Sequence, residues 1–386
     1  MAIGLWYTVR ARRGTALSLS CAVLLCAAPT AQAAPDPAVR TAAGVPAPPQ
    51  VSAAAWMVTD AESGAVLAAR DAHRPLPPAS TLKTLFAVTV LPRLRGDLAH
   101  TVSYGDLAGV APGSSVVGVR EGHTYTVADL WRGVFLSSGN DAVRTLAGLN
   151  GGWRHTIREM QTTAERLGAR ETVVRSPDGY DAPGQTSSAY DLTLFARAGL
   201  RNPDFRTYAA TTAARFPAAG GSRSFGIRNT NRLLVGSHGV APYPGLIGVK
   251  NGYTSRAGNT LVSAARRGGR TVLVTLLRPR SNRSNAVYEE SRALLDWGFA
   301  AAPRARGAVE RLPDPADAPG TRGAAGPQAA SGKPADEGAE GLAWPVTAAG
   351  AAALLGAFFH RRRIVARRMA ARRAARDHTV WHRGAV

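Results

Sequence analysis

Hydrophobic residues alternate with small or polar ones near both ends of the central part of the chain. The stretch AAAWMVTDAESGAVLAAR, residues 53–70, alternates around Glu62-Ser63-Gly64, and NTLVSAARRGGRTVLVTLL, residues 259–277, has two apolar runs around Gly268-Gly269. Both patterns predict β-hairpins, because alternate side chains of a strand lie on opposite faces and glycine favours the connecting turn.

The region between the two hairpins has the longer apolar period of helices. Helices are predicted over 80–95, 127–149, 153–168 and 188–200, and an amphipathic helix is predicted over 284–300. The face of that last helix is expected to be formed by Val287, Leu294, Leu295 and Trp297. Strands at both ends with helices between them predict an α+β fold, in which N- and C-terminal strands form one antiparallel sheet and a helical subdomain is inserted. A cleft is expected where the sheet meets the helices.

The first 33 residues have the pattern of a secretory signal peptide. Three arginines precede an apolar run over 16–28, and Ala31-Gln32-Ala33 supplies a small-x-small cleavage pattern. An uncleaved anchor is the alternative, although the apolar run is short for a membrane span. Both cysteines, Cys21 and Cys26, lie inside this segment, so the mature protein is predicted to have no disulfide and no thiol chemistry.

The C-terminal end has the pattern of a membrane anchor. Residues 342–359 carry no charge, and as a helix they would be about 27 Å long. Nine arginines follow in 360–386, which predicts a basic cytoplasmic tail and an exported catalytic domain at the cell membrane. A helix lying along the membrane surface is the alternative. Pro/Ala-rich residues 34–50 are predicted to be a flexible lead-in and 303–341 a stalk, which leaves 51–302 as the folded domain.

The composition narrows the classes of partner. The formal net charge is +21, but an exported protein does not routinely meet nucleic acid, so an anionic surface such as a cell-wall polymer is the better expectation. The eight histidines are scattered along the chain, and no Gly-rich phosphate loop is present, so neither a metal nor another cofactor is predicted.

Lysine is rare in this chain, which makes its positions informative. Of the 47 lysine and arginine residues, only Lys83, Lys250 and Lys333 are lysines, and Lys83 follows Ser80 by three positions. On a helix that begins after Pro77-Pro78, these two side chains would share a face, one turn apart. Burial and the helix N-terminus lower a lysine pKa, so a partly neutral lysine can take a proton from a serine hydroxyl. Arginine cannot be deprotonated in a protein and could not replace it.

Two further stretches strengthen this interpretation. Ser138-Gly139-Asn140 lies 58 residues after Ser80, and Lys250-Asn251-Gly252 follows another 112 residues along on a predicted strand. Each stretch alone has an ordinary alternative, because Ser-Gly-Asn is a common cap or turn and Lys-Asn-Gly suits a hairpin turn. S-x-x-K alone is expected about once by chance in a chain of this length. The prediction therefore depends on all three motifs occurring in this order in an exported chain.

The chain resembles the serine penicillin-recognising enzymes, whose motifs are S-x-x-K, S-x-N and K-T-G. The closer resemblance is to D-alanyl-D-alanine carboxypeptidases of the low-molecular-mass penicillin-binding protein type, the S11-type serine DD-peptidases. It extends over nearly all of 51–300 and includes DAESGAVLAARDAHRPLPPAST, YTVADLWRGVFLSSGNDAV, AERLGARETVVRSPDGYD, NTNRLLV and VKNGYTSRAGNT. The resemblance implies the β-lactamase/DD-peptidase fold and a peptidoglycan pentapeptide ending in D-Ala-D-Ala as substrate, with β-lactams as ligands.

The resemblance also implies a role for each motif residue. Ser80 would attack the carbonyl between two D-alanines to form an acyl-enzyme, and Lys83 would be its base. Ser138 would relay a proton to the leaving amine. Asn140 would hold the substrate amide and Lys83.

The third motif would bind the end of the substrate. Lys250 would supply positive potential for the terminal carboxylate, which Thr254 would contact through its hydroxyl. The backbone N–H groups of Ser80 and Tyr253 would form the oxyanion hole. Asn251, before Gly252, departs from the family's usual threonine, so carboxylate recognition and penicillin affinity are expected to differ.

Three alternatives to a wall-trimming carboxypeptidase share these residues. A DD-endopeptidase would use the same groups on cross-linked peptides. A class A β-lactamase would also need a glutamate in a Glu-x-x-Leu-Asn loop, which the region between the second and third motifs does not resemble. A penicillin-binding sensor would keep the serine but turn over little substrate. The β-rich second domain of larger family members is replaced here by the predicted stalk.

Overall fold

The computed structural model describes residues 38–218 and 223–315. Ten strands lie in this part of the chain: β1 Val39–Thr41, β2 Ala53–Asp60, β3 Val66–Arg70, β4 Ala99–Thr101, β5 Thr124–Thr126, β6 Ala213–Pro217, β7 Ser224–Arg228, β8 Leu246–Thr254, β9 Gly258–Arg267 and β10 Arg270–Pro279. The α-helices of the same residues are α1 Lys83–Val90, α2 Tyr104–Leu107, α3 Val127–Ser137, α4 Asn140–Leu149, α5 Trp153–Arg166, α6 Ala189–Gly199, α7 Pro203–Ala210, α8 Arg232–Val235 and α9 Ala286–Ala301. Short 3₁₀ turns occupy Ala79–Leu82, Leu91–Arg93 and Ala302–Arg304.

Six strands form the central sheet, in the order β1-β3-β2-β10-β9-β8. All neighbours are antiparallel, and the N-terminal hairpin joins the C-terminal one where β2 pairs with β10, with Met57 opposite Thr275. Both hairpin turns use glycine at positive φ, Gly64 in the first and Gly268-Gly269 in the second. The predicted antiparallel sheet formed from the two ends of the domain is therefore confirmed.

Helices cover both faces of this sheet, so β2 is buried along its whole length. Its alternate side chains enter different cores, Met57 packing towards the helical subdomain and Trp56 and Val58 towards α9. In α9 the predicted face is confirmed, since Val287, Leu294, Leu295 and Trp297 are all buried. The helical subdomain packs on the other face of the sheet, where α6 contacts β2 and β10. Strand β8, at one edge of the sheet, contacts α1 and α7 of this subdomain.

Two predicted helices differ from the structure. The helix predicted over 127–149 is two helices, because Ser138 adopts a left-handed conformation with φ 56° and ends α3 before α4 begins. The helix predicted over 80–95 starts as a 3₁₀ turn and its α-helical part ends at Val90, before Pro92, whose missing N–H cannot continue the helix.

The predicted domain boundaries are too narrow at both ends. Within the lead-in predicted over 34–50, Val39–Thr41 forms β1 and pairs with β3. Within the stalk predicted over 303–341, the Val309 N–H donates to the Val66 carbonyl at 2.9 Å, and Leu312 is buried. Both segments pair with β3. Without them the backbone N–H and C=O groups on that edge of β3 would have no hydrogen-bond partners. Apolar content alone did not reveal these contacts.

Among the described residues, no helix combines the length and apolarity that crossing a bilayer requires. The predicted signal peptide over 1–33, the predicted span over 342–359 and the basic tail over 360–386 lie outside those residues.

Candidate active site

Ser80 and Lys83 are brought together by the turn that precedes α1. Ser80 lies in the 3₁₀ turn, Lys83 is the first residue of α1, and Lys83 Nζ donates a hydrogen bond to Ser80 Oγ at 2.8 Å. Ala79 holds a left-handed φ of 51° beside the serine, a conformation that costs free energy for a non-glycine residue. Pro77-Pro78 cannot extend the helix backwards, so the chain bends here and presents the serine hydroxyl.

Lys83 is one of the largest fully buried side chains in the structure, with only 1% of its surface exposed. Its ammonium also donates to the Asp178 carbonyl oxygen at 2.6 Å. Burial lowers the pKa of Lys83 to about 8, and the carboxylates of Asp178 and Asp141 limit that fall. About a tenth of the Lys83 side chains is therefore neutral at pH 7, which is enough for a proton acceptor.

Ser138 and Asn140 occupy the sharp turn between α3 and α4. Both are buried, and neither Ser138 Oγ nor Asn140 Oδ1 has a hydrogen-bond partner within residues 38–218 and 223–315. A buried polar atom without a partner is costly, and such atoms are common where a ligand binds. The next residue, Asp141, interacts electrostatically with Lys83, so this turn lies within electrostatic range of the Ser80–Lys83 pair.

Asp141 fixes the segment that covers this turn. Its carboxylate accepts backbone N–H bonds from Val117, Gly118 and Val119 at 2.8–3.0 Å. The Asn140 N–H donates to the Ser115 carbonyl at 2.8 Å. Asp141 is therefore a positioning residue, and the sequence signal for it was an acid directly after the S-x-N motif, to which no role was given.

Lys250 lies on β8, the outermost strand of the sheet, with 2% of its surface exposed. Its Nζ donates to the Asn251 carbonyl oxygen at 2.9 Å. Burial lowers the pKa of Lys250 well below its usual value, and the charge of Lys83 lowers it further. We call the region formed by the Ser80 turn, the Ser138 turn and β8 the cleft. It thus holds two desolvated amines, Lys83 and Lys250, whose charges repel each other.

Gly252 lets β8 approach the nucleophile. A Cβ at this position would lie 2.7 Å from the Ser80 backbone N and 2.6 Å from Thr260 Oγ1. Gly179 does the same from another side, since its Cβ would overlap the Ala79 carbonyl oxygen. Thr260 Oγ1 donates to the Pro78 carbonyl at 3.0 Å and ties the same turn to β9.

The Asp178-Gly179 turn was missed as a functional element. The sequence contains the signal for it, an Asp-Gly pair within SPDGYD, because Asp-Gly favours a tight turn. Nothing in the local sequence shows that the Asp178 carbonyl would accept the Lys83 proton donor, 95 residues away.

The remaining third-motif residues are engaged with the protein itself. Thr254 Oγ1 donates to Asp181 Oδ1 at 2.8 Å, and Asn251 Oδ1 accepts from Thr230 Oγ1 at 3.1 Å. Tyr253 is 68% exposed. The predicted contacts of these three residues with a substrate carboxylate or oxyanion therefore remain predictions.

Several exposed apolar side chains belong to segments next to the motif residues. Of the six large apolar side chains that are exposed in the described part of the chain, four are on such segments: Val116, Tyr180, Phe225 and Tyr253. Tyr180 Oη donates to the Pro112 carbonyl at 3.1 Å, and the Phe225 ring lies beside Gly118. In residues 38–218 and 223–315, no group of histidine, cysteine or acidic side chains is arranged to hold a metal ion.

A family model described as D-alanyl-D-alanine carboxypeptidase, Peptidase S11, matches residues 42–279, more than half of the chain. The chain belongs to the S11 family of serine D-alanyl-D-alanine carboxypeptidases. Its matched residues include all three S11 motifs and the turn at Asp178, so the family assignment rests on the same region as the cleft.

Similar S11 proteins come from several bacteria. The chain is 40% identical over 273 residues to D-alanyl-D-alanine carboxypeptidase DacB2 of Mycobacterium tuberculosis, covering 70% of this chain and 90% of that protein. It is 33% identical to D-alanyl-D-alanine carboxypeptidase DacD of Escherichia coli, of whose length it spans 64%.

Solved structures share the fold. A D-alanyl-D-alanine carboxypeptidase from Mycobacterium tuberculosis superposes with a TM-score of 0.63 at 36% identity, covering 69% of this chain and 98% of that one. The Streptomyces K15 DD-transpeptidase gives a TM-score of 0.60 at 31% identity over 66% of this chain and 99% of that chain. The α+β class of the fold is thereby confirmed.

Proposed function

We propose that this protein is a serine-type D-Ala-D-Ala carboxypeptidase that removes the terminal D-alanine of peptidoglycan stem peptides. The observation that carries the proposal is the 2.8 Å contact between Lys83 Nζ and Ser80 Oγ, made by a buried lysine whose pKa is lowered to about 8. That pair provides a nucleophile and an adjacent base, the minimum for acyl transfer.

In the acylation step, neutral Lys83 takes the proton of Ser80 as its Oγ attacks the carbonyl between the two D-alanines. The carbonyl π pair moves to oxygen, and the backbone N–H groups of Ser80 and Tyr253 stabilise the oxyanion. When the tetrahedral intermediate collapses, the C–N bond breaks and the amine of D-alanine leaves with a proton relayed through Ser138. Water then hydrolyses the ester and restores the Ser80 hydroxyl.

The buried polar groups around the pair support a substrate-binding role. Lys250 has one hydrogen-bond acceptor from the described chain, the Asn251 carbonyl, so a terminal carboxylate would supply the missing counter-charge. Asn140 Oδ1 has no partner there and would accept a bond from the substrate amide N–H. Substrate binding would thus supply partners for Lys250 Nζ and Asn140 Oδ1, whose burial without enough partners is unfavourable in the free protein.

A second candidate activity is transfer of the same acyl group to an amine. The similar Streptomyces K15 protein is named a DD-transpeptidase, so an amine instead of water is the competing acceptor. A DD-endopeptidase would use the same residues on a cross-linked peptide. The exposed apolar side chains on segments next to the motif residues, which include Phe225 and Val116, support a peptide substrate in all three cases.

We also place the catalytic domain on the outer side of the cell membrane. This location rests on the predicted signal peptide over 1–33, the apolar segment over 342–359 and the arginines that follow it. Treating intact cells with an external protease tests that orientation. The catalytic domain should be cleaved, while an epitope at the C-terminus should be protected.

The activity is tested on the full chain purified in detergent. A pentapeptide ending in D-Ala-D-Ala should release one equivalent of free D-alanine, and the Ser80→Ala variant should release none and take up no fluorescent penicillin. Adding glycine as an amine acceptor separates hydrolysis from transfer by the product's mass. Penicillin labelling without D-alanine release would instead identify a sensor.

A further inference from the structure

A second concave site lies at the far end of the sheet from Ser80. Its volume is about 340 Å³, and it is open to solvent. The lining residues come from the β2–β3 turn, α6, α7 and the adjoining ends of β8, β9 and β10: Ala61, Glu62, Arg197, Leu200, Arg201, Arg206, Ile247, Arg266 and Thr271. We call this concave site the arginine groove.

The arginine groove is separate from the cleft. Ile247 lines it from the start of β8, whereas Tyr253 stands at the cleft near the end of that strand. Six residues of extended strand span about 20 Å. Both sites can therefore be occupied at the same time, and residues of one do not touch the substrate of the other.

The four arginines of the arginine groove are used differently. Arg197 is buried, and its guanidinium donates to the carbonyls of Ala61, Glu62 and Pro313. That set of bonds fixes Arg197 as part of the scaffold. None of these three partners is a carboxylate, but Asp314 and Asp60 lie near enough to attract the Arg197 charge.

The other three guanidinium groups are on exposed residues. Arg206 donates to the Leu200 carbonyl at 2.7 Å, and Arg201 forms an ion pair with Asp314. Arg266 makes no side-chain hydrogen bond or ion pair with the residues that the structure describes. Each guanidinium has five N–H donors, so Arg206 and Arg266 keep most of theirs available.

Only one carboxylate lines the same surface. Glu62 accepts the Thr271 N–H through both carboxylate oxygens, at 2.9 and 3.1 Å, and so is held by the backbone. Arg201 is paired with Asp314, and Asp314 and Asp60 also attract Arg197. The uncompensated positive charge of the groove is therefore concentrated on the exposed Arg206 and Arg266, where an anion would be attracted. Planar guanidinium groups bind phosphate oxygens through paired hydrogen bonds.

We propose that the arginine groove binds the phosphate groups of an anionic cell-wall polymer. The site is concave and open to solvent, a shape that suits a flexible polymer chain better than the flat surface of a bilayer. The exposed Arg206 and Arg266 make the phosphate contacts, and Arg197 supplies charge from below. Binding there would hold the catalytic cleft near wall material without taking part in the reaction.

Binding of a fluorescent glycerol phosphate hexamer to the full chain in detergent tests the proposal. The double variant Arg206→Gln/Arg266→Gln should bind the hexamer about tenfold more weakly or worse, because it loses bidentate contacts to phosphate. The matched control is Arg154→Gln/Arg158→Gln, which removes the same charge from exposed positions of α5 and should bind within twofold of the wild type.

Three results would overturn the proposal. The hexamer could fail to bind saturably, both double variants could lose affinity equally, or the groove variant could lose affinity only for phosphatidylglycerol vesicles. The second result would indicate net charge alone, and the third a membrane contact. Hydrolysis of a soluble pentapeptide should be unchanged in both double variants, which shows that each variant is folded.

Discussion

The two ends of strand β8 use positive charge in opposite ways. At the cleft, Lys250 and the nearby Lys83 are almost fully buried, and burial lowers the pKa of both. At the arginine groove, Arg206 and Arg266 are exposed, and arginine as a residue type is not deprotonated in proteins. Lys83 is thus placed where an amine must lose its proton, and arginine where a charge must persist.

The rarity of lysine follows the same division. Two of the three lysines of this chain lie at the cleft, whereas at the arginine groove Arg197 and Arg206 donate to backbone carbonyls. Lys83 stands where deprotonation has a chemical use, which arginine could not supply. Variants at the cleft and pH profiles of both sites test this difference between the cleft and the arginine groove.

The largest effect is expected from Lys83→Arg. The variant keeps the charge but has no accessible neutral form, so acylation of Ser80 should fall by about 10³-fold or more. The second-order rate constant for labelling by a fluorescent penicillin measures this loss. Labelling at the wild-type rate would mean that Lys83 is not the base.

Lys83→Met is the matched control for that variant. It should be equally inactive, but it should unfold at a higher temperature than the wild type, because the buried ammonium opposes folding. The folded-state pKa of about 8 lies below the unfolded value near 10.5, so this cost is fully present below pH 8 and disappears as the pH rises towards 10.5. At pH 7 it amounts to at most about 3 kcal/mol.

The pH dependence of acylation sharpens the comparison. Because the neutral form of Lys83 is the active one, the acylation rate should rise about tenfold for each pH unit below 8 and level off above it. Binding of the phosphate hexamer to the arginine groove should stay constant over the same range. Stopped-flow labelling from pH 6 to 9 gives the first curve, and a flat profile would contradict the assignment of Lys83.

A smaller effect is expected from Gly252→Ala. The added methyl would contact the Ser80 backbone N at 2.7 Å and should push β8 away from the nucleophile. We expect kcat/KM for the pentapeptide to fall about tenfold, since small displacements of reacting groups reduce rates strongly. Gly226→Ala, where a Cβ meets nothing within 4 Å, is the control and should retain activity. Equal activity of the two variants would show that the close approach is unimportant.

The smallest effect is expected from Asn251→Thr. Threonine restores the residue usual in the family and should keep kcat/KM within about threefold or raise it, because its hydroxyl can also hydrogen-bond with Thr230. D-alanine release is the measurement. A large loss would assign Asn251 a specialised role in this protein.

Local patterns predicted much of this fold because they depend on neighbouring residues. The two hairpins followed from alternation and turn glycines at Gly64 and Gly268-Gly269, and the apolar face of α9 followed from its period. The break at Ser138 was not predicted, although Ser-Gly-Asn is a common cap or turn, because the sequence does not show that Ser138 adopts the left-handed φ that ends α3 before α4.

The amino-acid sequence by itself determined the order of the three motifs, the strand and helix periods, and the choice of lysine over arginine at position 83. Only the tertiary structure decided the chemistry of Lys83, because its pKa depends on burial and on the carboxylates of Asp178, which lies 95 residues away, and Asp141. It also decided where Val39–Thr41 and Leu312 pack and which arginines share a groove. Desolvation and close approach arise only when distant segments meet, so no local pattern records them.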